Sequence, residues 1–448
     1  MSITKNSFSS KALREISVQI AAAFPILRNP LRTVGRELEM PILTRDLKPA
    51  DVNKILQTFI ASGGTPKFKD GFLGAVTVPE GICSIEAGTG TFEFSSIATQ
   101  DLFQLDHLTK GFLEDVSRKL SPLGYDAFGL GINPMVSDFS TLGTPKPHYA
   151  ALRSAIGPAW DWFNVTCGDH VHVAVSRSEA LAVRNALDLS TPLFQALFAN
   201  SAVCGGVLRK EAMYRESRMR KIHPEQSRTG QLGFLGNSWE IQTEIRGAER
   251  HYLSRTYDTE GLATYHAEEG TFADWLELHK DLDSQALFDA YLFHDHYTWN
   301  VVRLRPEYGT VEMRVACAQP FTDGVLYPAL VLGISEVAEE VANQILDQLP
   351  EVEDRVHWCA ATLERPELQT AREMYLGMKL LLLAESGLSQ RGLGEERLIH
   401  PLIARFDGRR NPAIDLKLEA ERLGLVCALK NRALSVVTEC HSSTNVDI

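Results

Sequence analysis

Ionisable residues two positions apart, each alternating with apolar neighbours, recur in several β-forming runs of this chain. Residues two apart in a strand share one face of a sheet, so the members of each pair point the same way. The pairs are Glu37 and Glu39, His170 and His172, and Glu312 and Arg314. A strand that merely faced water could carry any mixture of polar residues, whereas these faces hold groups that coordinate cations and bind anionic substrates. Several such strands side by side predict a sheet with a charged cavity on one face.

Length and composition place the chain among ordinary globular proteins. It has 448 residues, of which 44% are hydrophobic and 23% are charged, so it has ample material for a buried core. The formal net charge of -12 argues against a general nucleic-acid binder, because phosphate attraction needs a basic surface. Residues 1–10 lack the apolar core of a secretion signal, and the longest apolar runs are too short to cross a bilayer. We therefore expect a cytoplasmic protein with no membrane or nucleic-acid partner.

The cysteines are scattered along the chain. There are seven of them, and no two form a Cys-x-x-Cys pair. Such a distribution indicates neither a disulfide framework nor a structural zinc site, so we expect the cysteines to be mostly reduced.

Helical and strand-like segments interleave without a regular β-α-β rhythm, which favours an α+β protein built on an antiparallel sheet. Apolar spacing predicts helices over 8–28, 51–62, 100–120, 178–199, 324–348, 367–386, 395–405 and 413–438. Alternating runs predict strands over 32–43, 72–79, 82–97, 125–132, 162–176 and 297–316. The stretch 201–265 is expected to be rich in loops.

These segments divide the chain into four expected parts. Residues 1–30 would be an N-terminal helical extension, and 31–322 a catalytic antiparallel-sheet domain. Residues 323–440 would form a C-terminal helical region packed on that domain, and 441–448 a flexible tail. The sheet would form a bowl-shaped active site flanked by helices.

Two further carboxylates, Glu86 and Glu93, lie among small residues, where a backbone can approach a ligand closely. With Glu37 and Glu39 they would make four glutamates that converge. Mutual repulsion would raise their pKa values and destabilise the site, so such a group needs cations between its members. Magnesium is the cation that we expect between these carboxylates, and two or three ions would suit phosphate chemistry.

Two His-x-His pairs support a competing hypothesis, since imidazoles on one strand face are good zinc ligands. The pairs are His170 with His172 and His294 with His296. A zinc hydrolase that uses these four residues therefore stays open. A single pair arises often by chance, and the second pair could simply form hydrogen bonds within a loop.

Arginines offer sites for an anionic substrate. Arg314 beside Glu312 is either an ordinary salt bridge, worth little if exposed, or a planar fork for a carboxylate or a phosphate. In the loop-rich stretch, one or two of Arg215, Arg218 and Arg228 could close over a nucleoside triphosphate, and most of the other arginines there are expected to be solvated.

Seven segments of the chain carry short motifs. They are Val34–Glu39 with Gly-x-Glu-x-Glu, Ser84–Ser95 with two spaced glutamates, Phe128–Pro134 with two glycines and a proline, Cys167–Val173 with His-Val-His, Leu197–Ser201 followed by Arg228–Gly230, and Gly309–Val315 with Thr-x-Glu-x-Arg. In this order they resemble the glutamate-cysteine ligase family, within the wider carboxylate-amine ligase group. The likeness covers about residues 32–320, and Ala87 and Ala202 stand where the family usually has proline.

The resemblance implies a glutamine synthetase type of catalytic fold and a set of ligands. The implied ligands of two or three magnesium ions are Glu37, Glu39, Glu93 and Glu312, with His170 or His172 nearby. The implied catalytic contacts come from Glu86, Arg218 and Arg314. The implied contacts to ATP come from Asn200, Arg215 and Arg228.

The implied function is an ATP-dependent carboxylate-amine ligase that forms an amide bond through an acyl phosphate, first of all glutamate-cysteine ligase. Its partners would be an amino-acid donor, an amine acceptor and ATP. The same chemistry with another donor or acceptor in a specialised pathway stays open, as does a silent family member that only binds ligand. No convincing Ser-His-Asp or Cys-His set is apparent, in agreement with a mechanism that needs no covalent enzyme nucleophile. The oligomeric state is left open, a homo-oligomer included.

Overall fold

A computed structural model describes residues 11–69, 71–223, 228–365 and 369–438. The predicted tail over 441–448 and the predicted start of the first helix before residue 11 lie outside these residues. Within the described residues, no helix combines the length and the apolar character needed to cross a bilayer.

A sheet of antiparallel strands forms the centre of the fold. The strands in chain order are β1 Val34–Thr44, β2 Thr65–Lys69, β3 Phe72–Val78, β4 Gly81–Ile85, β5 Thr91–Ser96, β6 Tyr125–Ala127, β7 Asp169–Ala174, β8 Val203–Cys204, β9 Val207–Leu208, β10 Thr229–Gly230, β11 Leu253–Tyr257, β12 Ala263–Ala267, β13 Trp299–Asn300, β14 Val302–Arg305 and β15 Thr310–Met313. The main sheet has the order β14-β15-β7-β1-β5-β4-β3-β2, and β6 pairs with the end of β1. The short remaining strands form separate pairs.

Helices surround the sheet and make up most of the C-terminal part. They are α1 Lys11–Ala23, α2 Val52–Ala61, α3 Leu102–Leu120, α4 Pro147–Ile156, α5 Ala180–Leu189, α6 Thr191–Phe198, α7 Tyr214–Met219, α8 Trp239–Ala248, α9 Phe272–Leu278, α10 Ser284–His296, α11 Leu326–Glu336, α12 Ala338–Gln348, α13 Val352–Glu364, α14 Ala371–Gln390, α15 His400–Asp407, α16 Pro412–Leu423 and α17 Leu425–Lys430. The predicted fold class, an antiparallel sheet with flanking helices and a helical C-terminal part, is confirmed.

Local chemistry explains where several elements begin. The side chain of Asp51 accepts a hydrogen bond from the backbone of Asn53 and begins α2, and Asp101 caps α3 in the same way through Gln104. The predicted helix over 178–199 is two helices, because the chain breaks at Ser190 and Pro192 begins the second one.

Other predicted boundaries were wrong in ways that the packing explains. The predicted strand over 162–176 is strand only from Asp169, since Pro158–Val165 forms a 3₁₀ helix whose rings pack into an aromatic cluster. The stretch 201–265, expected to be loops, contains α7, α8 and the hairpin β11–β12. Helices α9, α10 and α13 were not predicted.

Gly88 permits a close approach of the backbone, but to protein and not to a ligand. A Cβ there would lie 1.9 Å from the carbonyl oxygen of Asn164.

The covered face of the sheet is apolar. Leu38, Met40 and Phe94 pack against α2 and α3, where Phe94 stacks on Phe112 with ring centroids 3.6 Å apart. Toward β7 and β15, the valines at 171 and 173 pack against α5, α11 and α14. The opposite face therefore receives the polar members of each strand.

One buried ion pair interrupts the apolar face. Arg36 in β1 donates to both carboxylate oxygens of Asp169 in β7, at 2.8 and 2.6 Å, and also to the carbonyl oxygen of Gly324 at 3.0 Å. The relative exposures of the two side chains are 5% and 0%, so neither charge has water as an alternative partner. The pair therefore ties β1 to β7 next to the polar face.

We expect Asp169→Ala to lower the free energy of unfolding by about 3–5 kcal/mol, because it leaves the buried guanidinium of Arg36 unpaired. Urea denaturation would measure the loss. Asp115→Ala is the control, since Asp115 forms ion pairs on the surface of α3, and its loss should be about 1 kcal/mol or less. Equal losses in the two variants would contradict a structural role for the buried pair.

Candidate functional site

Strand pairing brings the alternating ionisable residues together on the polar face. Glu37 lies opposite His170 across β1 and β7, and His172 lies opposite Glu312 across β7 and β15. On the other side of β1, Glu39 lies opposite Glu93 in β5. The predicted shared orientation within each pair is what the register shows.

A cavity of about 250 Å³ opens over this face. Its floor is charged, its far side is aromatic, and one end is rich in arginine. Its lining residues include Glu37, Glu39, Glu86, Glu93, Tyr149, Trp160, Phe163, His170, Arg215, His296, Tyr297, Trp299, Arg303, Arg305 and Arg314. Glu312 is fully buried and forms part of the layer beneath the cavity.

The first candidate ligand set, the mixed group, consists of Glu37, His170 and Glu312. One atom of each lies within 4.8 Å of the others. Glu37 contacts His170 Nδ1 at 3.4 Å and His172 Nε2 at 3.2 Å. Burial opposes ionisation of Glu37, but His172 and His170 outweigh it and hold the pKa of this carboxyl well below its usual range. Burial and the positive charge of Arg314 lower the pKa of His170 to about 4, so this imidazole is neutral at pH 7.

Three guanidinium groups, the arginine cluster, surround Glu312. Arg314 donates to one carboxylate oxygen, Arg305 lies 3.2 Å from the other, and Arg303 lies 3.9 Å away. Burial alone would raise the pKa of Glu312, but Arg314 and its neighbours hold it far below its ordinary value. The negative charge of Glu312 is therefore already compensated by protein groups.

The second candidate ligand set, the acidic group, consists of Glu39, Glu86 and Glu93, with one oxygen of each within 4.8 Å of the others. Burial, followed by repulsion from Glu93, raises the pKa of Glu39 to about 7. Burial, followed by repulsion from Glu86, raises the pKa of Glu93 well above its ordinary value. The hydroxyls of Ser84 and Ser95 donate to Glu93 at 3.1 and 2.8 Å and orient its carboxylate.

Both ligand sets have the chemistry that a divalent cation requires. Converging carboxylates with raised pKa values are stabilised when a hard cation lies between them, and the acidic group offers only oxygen ligands, as magnesium prefers. The mixed group adds a neutral imidazole with a buried Nε2 that has no hydrogen-bond partner among the described residues. The acidic group is the better match for magnesium. None of its carboxylates forms an ion pair with an arginine in the described part of the chain, whereas the arginine cluster neutralises Glu312.

An aromatic wall faces the charged floor. It consists of Tyr149, Trp160, Phe163, Tyr297 and Trp299. The rings contact one another, with centroid distances of 4.5 Å for Phe163 and Trp299 and 5.7 Å for Tyr149 and Trp160. Sequence reasoning missed this wall, because its members come from separate segments without a shared pattern.

Arg303 and Arg305 were also missed, although a signal was present. The run Val302-Arg303-Leu304-Arg305 has the same alternation as the pairs that were recognised. In β14 it places both guanidiniums on the polar face, where Arg303 lies opposite Glu312.

Three predicted contact residues lie away from the cavity. Asn200 is buried and donates to the carbonyl oxygens of Gly129 and Ala318. Arg228 is buried too, and its guanidinium donates to the carbonyl oxygens of His294 and Tyr297 and to Glu249. Arg218 is exposed on α7, with its guanidinium 5.6 Å from the ring centroid of Trp162. The first two hold loops in place, a use that motif matching does not distinguish from ligand binding.

Arg215 does reach the cavity. It is buried, and its Nη1 donates to Glu216 and to the carbonyl oxygens that follow β15, those of residues 315 and 316. Its contacts hold the chain just beyond Arg314, so it also positions the arginine end of the cavity.

The second His-x-His pair does not share a strand face. His294 and His296 lie at the end of α10, where residues two apart point in nearly opposite directions. His294 packs against His251 and contacts the carbonyl oxygen of Arg246, whereas His296 lines the cavity. A four-histidine zinc site therefore does not form in the described part of the chain.

A family model decides the assignment of the chain. The model of glutamate-cysteine ligase family 2 (GCS2) matches residues 33–416. The chain belongs to glutamate-cysteine ligase family 2. It is therefore an ATP-dependent ligase, and the match extends past residue 320 into helices for which the sequence motifs were uninformative.

Two solved structures resemble this ligase in fold. A glutamate-cysteine ligase from Francisella tularensis in complex with AMP is 13% identical, with a TM-score of 0.56, covering 91% of this chain and 88% of that chain. A bifunctional glutathione synthetase from Pasteurella multocida is 12% identical, with a TM-score of 0.53, covering 93% of this chain and 52% of that chain. The ligase thus spans about half the length of that synthetase. No curated protein sequence matches it significantly.

In the metal-free ligase, we expect the ionisation of Glu39 to contribute a loss of unfolding free energy as the pH rises from about 4.5 to about 7. An unfolded glutamate ionises near 4.5, whereas folded Glu39 keeps its proton until about pH 7. In this window the folded state binds more protons than the unfolded state and is destabilised, by about 1.4 kcal/mol for each unit by which a pKa is raised.

Urea denaturation at several pH values with a chelator present would measure this contribution as the difference between the original chain and Glu39→Gln. The variant should lose less stability across the window, and millimolar Mg²⁺ should reduce the difference, because a bound cation favours the ionised carboxylates. A profile that is the same in the variant and in the original chain would contradict the predicted repulsion within the acidic group.

Proposed function

We propose that this ligase uses ATP to activate the γ-carboxylate of glutamate and joins it to an amine, with cysteine as the first candidate acceptor. One observation carries the proposal: the acidic group, the arginine cluster, and Glu37 and His170 of the mixed group line one cavity on one sheet face, with Glu312 directly beneath. Negative ligand sets that attract cations, next to guanidiniums that bind carboxylates and phosphates, are what phosphoryl transfer to a carboxylate requires.

The reaction needs activation because a carboxylate is a poor acyl donor. A carboxylate oxygen of the donor attacks the γ-phosphorus of ATP, the bond to the bridging oxygen breaks, and ADP leaves. The amine nitrogen then attacks the acyl carbon, phosphate departs with the acyl oxygen, and the nitrogen loses a proton. No covalent bond to the protein forms, so the chain contributes binding, orientation and charge.

We assign one magnesium ion to the acidic group and one to the mixed group. Bound there, magnesium would neutralise the triphosphate and help to align it for transfer. The proposed ligands are Glu39, Glu86 and Glu93 for the first ion, and Glu37, His170 and Glu312 for the second.

The arginine cluster would receive the donor. Arg314 is 16% exposed. Arg303 is 5% exposed, so water screens the interactions of its guanidinium only weakly. Burial, followed by repulsion from Arg305, lowers the pKa of Arg303 to about 10, which leaves it charged at pH 7. These guanidiniums can bind the donor carboxylate and stabilise charge on the transferred phosphoryl group.

The aromatic wall would keep water from the acyl phosphate. Trp160 and Phe163 are buried, and their rings cover the charged floor. Exclusion of water matters because an acyl phosphate that meets water before the amine is lost to hydrolysis.

The comparisons agree with this proposal. The Francisella structure is a glutamate-cysteine ligase with AMP bound, and its fold resembles this chain along most of both lengths. We also propose that residues 31–322 are the catalytic part and that the helices of 323–440 support it, since α11 packs on β7 and α14 packs on α11 in one continuous core.

We expect the purified ligase, given ATP, Mg²⁺, glutamate and hydroxylamine, to release phosphate and form a hydroxamate. Hydroxylamine is a small nucleophile that traps an activated carboxylate whatever the natural acceptor is. A panel of amines that includes cysteine then identifies the acceptor by its kcat/KM. A panel of amino-acid donors replaces glutamate in parallel. Folded protein that releases no phosphate with any donor and acceptor would contradict the ligase mechanism.

We expect Glu93→Gln to lower kcat/KM by about 100-fold and to raise the Mg²⁺ concentration needed for half-maximal activity, because the acidic group loses one charged ligand. Glu114→Gln is the control. It makes the same chemical change on the exposed side of α3, across the sheet from the cavity, and should leave both quantities unchanged. An unaltered Mg²⁺ requirement in Glu93→Gln would remove Glu93 from the proposed ligands.

A further inference from the structure

The polar face of the sheet continues beyond the cavity toward the edge strand β2. Pairing places Glu39, Glu93, Ser84, Ala75 and Lys67 in one row across β1, β5, β4, β3 and β2. The row therefore begins in the acidic group and ends in a lysine at the sheet edge. Ser84 connects the two ends, since its hydroxyl donates to Glu93.

A second concavity, the lysine groove, lies over the outer half of this row. Its volume is about 450 Å³. Its charged lining side chains are Lys67, Lys69 and Lys146, and no lining residue that the structure describes is acidic. Gly74 has no side chain and Ala75 has only a methyl group, so these two residues leave space above the floor of the groove. The groove is thus opposite in charge to the acidic group at the near end of the cavity.

Lys146 stands at the boundary between the groove and the cavity. Its ammonium donates to the carbonyl oxygen of Ile85 and lies 5.1 Å from the ring centroid of Tyr149. Tyr149 belongs to the aromatic wall, and its hydroxyl lies 3.5 Å from Glu86 in the acidic group. A ligand that extends from the acidic group past Tyr149 would therefore meet Lys146 first.

The first turn of α4 adds a further polar group to the groove. His148 is buried in its wall, and its Nδ1 has no hydrogen-bond partner in the described part of the chain. Burial, followed by the charges of Lys69 and Lys146, lowers the pKa of His148 to about 3, so the imidazole is neutral.

Lysines on an edge strand also serve to prevent strand pairing between molecules. That use accounts for Lys67 and Lys69 taken alone. It does not account for Lys146 and His148, which lie on a different element and face the same groove. Charge convergence from two elements distinguishes a binding groove from a protected edge.

We infer that the lysine groove is an extension of the active site that binds an oxyanion of a substrate, either a phosphate of the nucleotide or a carboxylate of the acceptor amine. The inference rests on the proposed ligase function. The opposite end of the cavity carries the arginine cluster, whose guanidiniums suit the carboxylates of the donor. The open, basic end is left for the larger nucleotide or for the acceptor that must reach the activated carbon.

Steady-state kinetics on two variants tests the inference. Lys146→Gln removes the boundary charge, and a double variant with Lys67→Gln and Lys69→Gln removes the edge charges. Lys54→Gln is the matched control, because Lys54 is exposed on α2 and α2 covers the opposite face of the sheet. Lys146→Gln also removes the hydrogen bond to the carbonyl oxygen of Ile85, so circular dichroism checks the folding of every variant.

We expect Lys146→Gln to raise one KM about tenfold, the size expected for losing a charge-assisted hydrogen bond, with Lys54→Gln unchanged. A rise in the KM of ATP identifies the nucleotide phosphate. A rise in the KM of cysteine, together with a smaller preference for cysteine over cysteamine, identifies the acceptor carboxylate. A rise confined to the KM of glutamate, or no change relative to the control, overturns the inference.

Calorimetric titration with Mg²⁺ and inorganic tripolyphosphate provides a readout independent of turnover. If the original chain forms no hydroxamate, the proposed function fails, and weaker tripolyphosphate binding in the lysine variants would still support the groove as an anion site. If hydroxamate forms and neither KM values nor tripolyphosphate binding change in the variants, the proposed function stands and the groove inference is overturned.

Discussion

The register of β1 between β7 and β5 determines the rest of the site. Glu37 lies opposite His170 on one side, and Glu39 lies opposite Glu93 on the other. A slip by one residue would turn these carboxylates into the apolar layer beneath the sheet and expose Leu38 and Met40. Burial of the apolar members of each strand thus selects the register, and the register in turn gathers the charges. The catalytic face is a consequence of how the opposite face packs.

Charge compensation differs between the two halves of the cavity. Glu312 is surrounded by Arg303, Arg305 and Arg314, so it remains ionised although it has no contact with water. Glu39 and Glu93 form no ion pair with an arginine in the described part of the chain, and burial leaves them with raised pKa values. Electrostatics therefore distinguishes a region that protein charges have already neutralised from one that needs an added cation. Beyond this second region the sign of the charge changes again in the lysine groove, so the charge alternates along one face of the sheet.

Alternation in the sequence was enough to place the charged residues of β1, β7 and β15 on common faces, because strand geometry has a strict period of two. The same rule applied to β14 would have found Arg303 and Arg305. It failed for His294 and His296, since an identical spacing within a helix separates side chains instead of aligning them. Motif resemblance identified the family, but it did not separate Arg228 and Asn200, which hold loops, from Arg215, which reaches the cavity. Asn200 and Arg228 match motif positions to which the resemblance assigns ligand binding. Only their contacts in the folded chain show that they hold loops instead.

The sequence by itself determined the fold class, the family and the set of carboxylates and imidazoles that lie on one face of the sheet, because these depend on local periodicity and on short motifs. Tertiary structure alone decided which strands are neighbours, that Tyr149, Trp160 and Trp299 form a wall, and that Lys146 joins the cavity to a basic groove. These features arise from contacts between segments far apart in the chain, and their geometry is set by the packing of the whole core. No local pattern records such contacts, since each segment would look the same with different neighbours.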